Sequence, residues 1–182
     1  MILITIQMRV LLKTQSGKQE KALIGQIKAE EESSRLYLSM ASWCEAKGYA
    51  GAAAFLFEHA TEERMHALKL LSYVNDRGGH ARLLALEEPQ ATFNSLQEVF
   101  EKVLEHEIKV TALINELVQI TMEEKDYTSN NFLQWFVTEQ IEEESLARGI
   151  LDKFSLAAGE KGGLFHIDKE LSSLAAAGES AV

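Results

Sequence analysis

The chain has 182 residues, with 28 acidic side chains against 18 Lys and Arg, for a formal net charge of −10. Its single cysteine excludes an internal disulfide framework and a Cys-built zinc or rubredoxin-type iron site. The negative charge argues against a nucleic-acid backbone as partner and in favour of cations, and 24 Glu against 4 Asp with one Pro favours long helices.

The chain opens on MILITIQMRVLL, which lacks the leading basic residues and the small-residue cleavage site of a secretory signal and is too short to span a bilayer. Residues 1–15 therefore read as an irregular leader on a cytoplasmic protein, with Met8 as a second candidate start. Ser16 and Gln19 have the spacing of a capping box, which predicts a first helix over 18–47. Its stripe is Leu23, Ile27, Glu30, Ser34, Tyr37, Ala41 and Cys44, at steps of three and four. After Gly48 a second helix is predicted from Ala50 to Gly78, with the stripe Ala52, Leu56, His59, Glu63, His66, Leu70 and Tyr73. So short a connection makes the pair an antiparallel hairpin.

Residues 78–94, with the sole proline Pro89, have no helical period and suit a crossover along a bundle. Ser95 and Glu98 predict the start of a third helix, with the stripe Val103, Glu107, Val110, Ile114, Leu117 and Thr121. A fourth is predicted over 130–156 with the stripe Phe132, Trp135, Glu139, Glu142, Leu146 and Ile150, and a short fifth over 168–176 with Asp168 as its N-cap. The expected fold is all-α: one domain over 16–176, a four-helix bundle of two hairpins joined by a long crossover, plus a short fifth helix. Residues 177–182 are expected to form a flexible tail.

The informative acids are those on apolar stripes. Glu30, Glu63, Glu107 and the pair Glu139/Glu142 fall on the stripes of four different helices, and a buried carboxylate needs a compensating cation or a proton. Glu63 and His66 form the only Glu-x-x-His in the chain, the spacing used by dinuclear carboxylate sites in bundles. The fourth helix instead reads Glu139-Gln140-Ile141-Glu142-Glu143-Glu144, whose carboxylates at 139, 142 and 143 are near enough to share an ion. Oxygen donors with a single imidazole suit iron or manganese better than zinc or copper(I). Glu31, Glu32, Glu123, Glu124 and Glu144 read as solvated surface charges, His59 as a satisfied core histidine rather than a partner holding a metal ligand, the stripe around His106 as partly exposed, and Cys44 as a small buried apolar residue.

The segments GAAAFLFEHATEERMH (51–66), INELV (114–118), NFLQWFVTEQIEEE (131–144) and FHIDKELSSL (165–174) resemble the bacterial non-haem ferritins, and the similarity runs from about residue 18 to 175. The resemblance implies a ferroxidase centre without haem, with a first iron held by Glu30, Glu63 and His66. Glu63 would bridge to a second iron held with Glu107 and Glu143, with Gln140 close by, and a third iron would sit among Glu62, Glu139, Glu142 and Glu143. Tyr37 and Trp135 match aromatic residues beside that centre, where electrons could pass through them; large core side chains at helical spacing explain them equally well. The implied function is oxidation of Fe(II) by dioxygen or peroxide and storage of the ferric product in a 24-subunit shell, with no nucleic-acid or membrane partner. The fifth helix would meet its copies at the four-fold axes, with Leu171 and Leu174 as an apolar contact, and Asn131 and Gln134 would stand where animal ferritins line their three-fold channels with acids. Bacterioferritins and rubrerythrins carry a second Glu-x-x-His where this chain has Glu139-x-x-Glu142. The competing expectation is a di-iron or di-manganese oxidase working as a small oligomer.

Overall fold

The computed structural model describes residues 16–178, so the expected leader and the last residues of the tail lie outside the described residues. Five helices follow in order: α1 (Gly17–Ala46), α2 (Ala50–Asp76), α3 (Leu96–Glu123), α4 (Tyr127–Leu156) and α5 (Gly163–Gly178). α1 packs along α2 and α3 along α4, the segment between α2 and α3 makes the crossover, and α5 lies on α2.

The helix ends follow local chemistry. Ser16 Oγ accepts from Gln19 N at 3.1 Å and Ser95 Oγ from Glu98 N at 3.1 Å, as the capping spacing predicts. The Glu98 carboxylate returns to Asn94 N at 2.6 Å, one residue before the cap. The first three helices end in the same paired bonds. Tyr49 N donates to Cys44 O and Gly48 N to Glu45 O around Gly48 at φ 86°, and the same pattern recurs at Gly78 and at Lys125. Lys125 adopts φ 54°, where a side chain is disfavoured.

Two predictions about the later helices need correction. α4 starts at Tyr127, three residues earlier than expected, because the Asp126 carboxylate accepts from Ser129 N at 3.1 Å and caps it there. Asp168 is not the N-cap of α5, which starts at Gly163. It caps a different helix: Asp168 Oδ1 accepts from Ala52 N at 2.8 Å, where Tyr49 supplies no side-chain cap to α2. Gly51 permits that contact, since a Cβ there would stand 1.8 Å from the Asp168 carbonyl oxygen. Leu171 accordingly packs inside the chain and Leu174 is half-buried, while Leu164 and Phe165 are the large exposed apolar residues of α5. Asn131 and Gln134 are exposed on α4.

The apolar core is in two parts. One cluster joins Met40, Cys44, Phe55, Leu56, Phe100, Phe154 and the α5 residues Ile167 and Leu171. The other joins Leu23, Ile27, Leu70, Val74, Ile114, Leu117, Leu133 and Phe136. The buried Glu30, Glu63, His66, Glu107, Gln140 and Glu143 belong to neither cluster, although their helices contribute to both. Several ionisable groups inside one bundle are costly unless protons or cations neutralise them.

Candidate metal centre

Each of the four long helices supplies a side chain to this polar layer. On α1, Glu30 is buried and accepts from Gln26 Nε2, one helical turn earlier, at 2.9 Å. On α2, three residues of spacing bring His66 Nδ1 to 3.6 Å from Glu63 Oε2. Glu30, Glu63 and His66 each offer a ligand atom, all within 4.8 Å of one another. On α3, Glu107 is fully buried; Tyr37 donates its hydroxyl to Glu107 Oε1, and Gln140 Nε2 donates to Glu107 Oε2 at 3.0 Å. On α4, Glu143 is buried and lies 3.9 Å from His59 Nε2.

The electrostatics are those of carboxylates crowded together in a buried layer. Burial first, then the charge of Glu63, raises the pKa of Glu30, and the two carboxyls share a hydrogen bond. Burial and then the Glu107 charge raise Glu63, and the same two causes push Glu143 up to about 8. The Tyr37 hydroxyl is raised by burial and the adjacent Glu107, and burial lowers His59. Groups that hold protons only because they are buried together exchange them readily for a metal ion, which supplies more positive charge at the same place. The donor set therefore fits a hard divalent or trivalent cation.

Of the residues singled out in the sequence, Glu30, Glu63, His66, Glu107, Gln140 and Glu143 are buried together in the layer. Glu107 belongs to neither set of mutually close ligand atoms among the described residues, its oxygens being bonded by Tyr37 and Gln140. A carboxylate has further lone pairs, so those bonds orient it without using up its donor capacity. From Phe132 to Leu146 the α4 stripe is displaced by one residue from the predicted one, and the two lines meet at Ile150, which is buried as predicted. Leu133, Phe136, Gln140, Glu143, Ala147, Ile150 and Phe154 face inward, Glu139 is part-exposed and Glu142 is exposed. Apolar residues occupy both lines, as Phe132-Leu133, Trp135-Phe136 and Leu146-Ala147 show, and packing on α3 selected the second.

Glu139 Oε1 lies 3.9 Å from His66 Nε2, so it faces the first group as well as the surface. Glu62, Glu139, Glu142 and Glu143 line one groove of about 360 Å³ together with Glu58 and His59. Its place on an apolar stripe marks His59 as a core histidine, yet it forms a second group of close donor atoms with Glu62 and Glu143. The available signal was its spacing, three residues before Glu62 and four before Glu63. Two supposed surface acids are also held: Glu31 is buried and bonded by Arg64, and Glu144 accepts from Thr111 Oγ1 at 2.6 Å and from Arg148. His106 is half-buried, with Nε2 2.7 Å from Ser33 Oγ. Aromatic side chains close the layer: Trp135 meets the His66 ring edge-on at 5.2 Å, and the Lys69 ammonium stands 3.2 Å over the Trp135 ring.

A bundle with a long crossover, whose core gathers carboxylates from four helices around one Glu-x-x-His, defines a helical carboxylate metal-binding protein. Residues 20–157 match the ferritin-like domain family, and the chain belongs to that family. A probable bacterial non-heme ferritin-like protein of Haemophilus influenzae is 49% identical over 154 residues, 85% of this chain and 93% of the relative. The bacterial non-heme ferritin of Campylobacter jejuni is 46% identical over 155 residues, 85% of this chain and 93% of the relative. Among solved structures, an open pore ferritin from the archaeon Archaeoglobus fulgidus superposes with a TM-score of 0.84 at 46% identity, covering 86% of this chain and 96% of that one. Among the described residues no helix is long and apolar enough to cross a membrane.

Proposed function

We propose that this chain is an iron-storage protein that oxidises Fe(II) at a dinuclear centre in the polar layer. Family membership supports iron storage and ferroxidase activity in general, and the gathering of Glu30, Glu63 and His66 within 4.8 Å carries the assignment of the site. One Fe(II) is held by Glu30, Glu63 and His66, a second by Glu63, Glu107 and Glu143, and Gln140 and Tyr37 hold Glu107 in place. A third ion sits in the groove among Glu62, Glu139, Glu142 and Glu143.

Each Fe(II) gives up one electron. Two electrons and two protons convert dioxygen to hydrogen peroxide, or peroxide to two waters. Carboxylates favour the oxidised ion because each anionic contact strengthens with the added charge. The protons that Glu30, Glu63 and Glu143 carry in the metal-free fold leave as Fe(II) binds, so the site changes little in net charge on loading. The groove gives the product ion an open oxygen-lined way out, which a closed cage of Cys or His ligands would not.

Storage of a mineral needs a cavity larger than one bundle offers, and a shell of 24 copies of residues 16–176 supplies it. Sizing the protein after Fe(II) loading in air tests the shell: a 20.3 kDa chain in 24 copies runs near half a megadalton, and a dimer or tetramer carrying the activity would refute it. Glu63→Ala and His66→Ala test the centre by stopped-flow absorbance after Fe(II) addition. Each is expected to slow ferrous oxidation by more than the 10–100-fold typical of losing a mere supporting group. Undiminished oxidation in both, with helical content intact, would sink the assignment.

A further inference from the structure

We infer that His59 is a metal ligand, its Nε2 closing the third cation site in the groove together with Glu62 and Glu143. The inference rests on the third site proposed above and adds to its all-carboxylate set a nitrogen donor. Three observations carry it. His59 Nδ1 lies 3.0 Å from the Phe55 carbonyl oxygen, which can only accept, so Nδ1 bears the proton and Nε2 keeps its lone pair. That arrangement, one ring nitrogen donating to a backbone carbonyl and the other left free, is how proteins orient a histidine toward a metal.

The second observation is spacing. Nε2 and Glu143 Oε2 are 3.9 Å apart, too far for a hydrogen bond. Two ligand atoms each about 2.1 Å from a common ion stand between roughly 3.0 Å apart at a right angle and 4.2 Å when opposite, so 3.9 Å fits the second role. Glu62 stands beside the ring, its Oε2 4.0 Å from His59 Nδ1, and the three residues each offer a ligand atom within 4.8 Å of the others. The third observation is rigidity and placement. The imidazole lies against the Phe55 ring at 3.9 Å, its edge meets Tyr37 at 6.5 Å, and its side chain is only 11% exposed although it lines the groove. A ring so fixed, with a lone pair facing acids, has little ordering entropy to lose on binding an ion.

A neutral imidazole changes what the groove prefers. An added positive charge on the ion gains less Coulomb energy at a site where one donor is uncharged, so the groove favours the divalent ion more than an all-carboxylate shell does. His59 thus makes the third site a holding place for Fe(II) beside Glu143, which the dinuclear centre shares.

Anomalous difference maps from crystals soaked anaerobically in Co(II), a redox-stable stand-in for Fe(II), test the inference. In the unaltered protein the expected result is a groove peak about 2.1 Å from His59 Nε2. In His59→Gln that peak should fall to less than half its height. A groove peak more than about 3 Å from Nε2, no groove peak, or an equal peak in the variant would overturn it, and the unaltered protein decides the first two even if the variant does not fold. A peak among Glu30, Glu63 and His66 reports separately on the dinuclear centre, whose absence would count against that reading instead.

Discussion

Two groups of one imidazole and two carboxylates are built on neighbouring turns of α2, one completed by Glu30 of α1 and the other by Glu143 of α4, and they differ in how they meet solvent. Glu30, Glu63 and His66 are all buried, with a glutamine on Glu30 and Trp135 and Phe136 around the imidazole. His59, Glu62 and Glu143 stand at a groove, where the Glu62 side chain is 45% exposed while those of His59 and Glu143 are 11% and 10% exposed. In the closed group burial is the largest cause of the raised carboxyl pKa values, so a cation relieves a large penalty and its binding is coupled to folding. In the open group water already screens part of the charge, so an ion binds with less gain and leaves more easily. On the proposed function, α2 therefore helps to build a reaction site and, beside it, a way out, distinguished by depth more than by donor type.

The largest expected effect comes from removing the wall of the open group. Leu174 of α5 lines the groove, and α5 is seated on α2 through the Gly51–Asp168 contact. Gly51→Ala puts a methyl group onto the Asp168 backbone and should cost about 3 kcal/mol or more, read by denaturant unfolding. Co(II) affinity should fall in the groove and persist at Glu30, Glu63 and His66; equal loss at both would erase the distinction between them.

Next in size is a pH effect in the metal-stripped protein. The folded-state pKa values of Glu30, Glu63 and Glu143 lie above their unfolded values, that of Glu143 at about 8. The fold then binds more protons than the unfolded chain, so this contribution is whole below about pH 4.5 and is lost as pH rises toward 8. Tm is expected to drop by roughly 5 °C between pH 5 and 8. Saturating Co(II) should abolish the drop, and Glu30→Gln, which removes one of two carboxyls sharing a hydrogen bond, should reduce it. A metal-free Tm that rises over this range would contradict the account.

The smallest effect belongs to the exposed end of the groove. Glu142→Gln should change stability by no more than about 0.5 kcal/mol, as expected for a surface site, while weakening the third Co(II) by about tenfold. Calorimetric titration reads both the affinity and the count of sites. A variant that loses the buried pair as well would show that the two groups are one.

Much of this was legible in the amino-acid order. The stripes of α1, α2 and α3 are buried nearly as their spacing predicts, and Glu30, Glu63, His66 and Glu107 follow from acids at apolar positions. The misses have definite causes. The fourth helix has apolar residues on two adjacent lines, and one residue turns a helix by about 100°, so spacing alone could not choose between Glu139/Glu142 and Gln140/Glu143. Asp168 has the look of a local cap, yet it serves a helix more than a hundred residues away. Arg64 on α2 turns Glu31 on α1 from a surface charge into a buried partner.

What the sequence determined by itself is therefore the set of helices, their hairpins and crossover, and the fact that acids must enter the core, because these depend on local spacing and on the cost of burying charge. Tertiary structure decided the rotation of α4, the seat of α5 and the division of the acids into a closed group and an open one. Those outcomes depend on which faces meet, and contacts between distant elements leave no periodic trace in the chain.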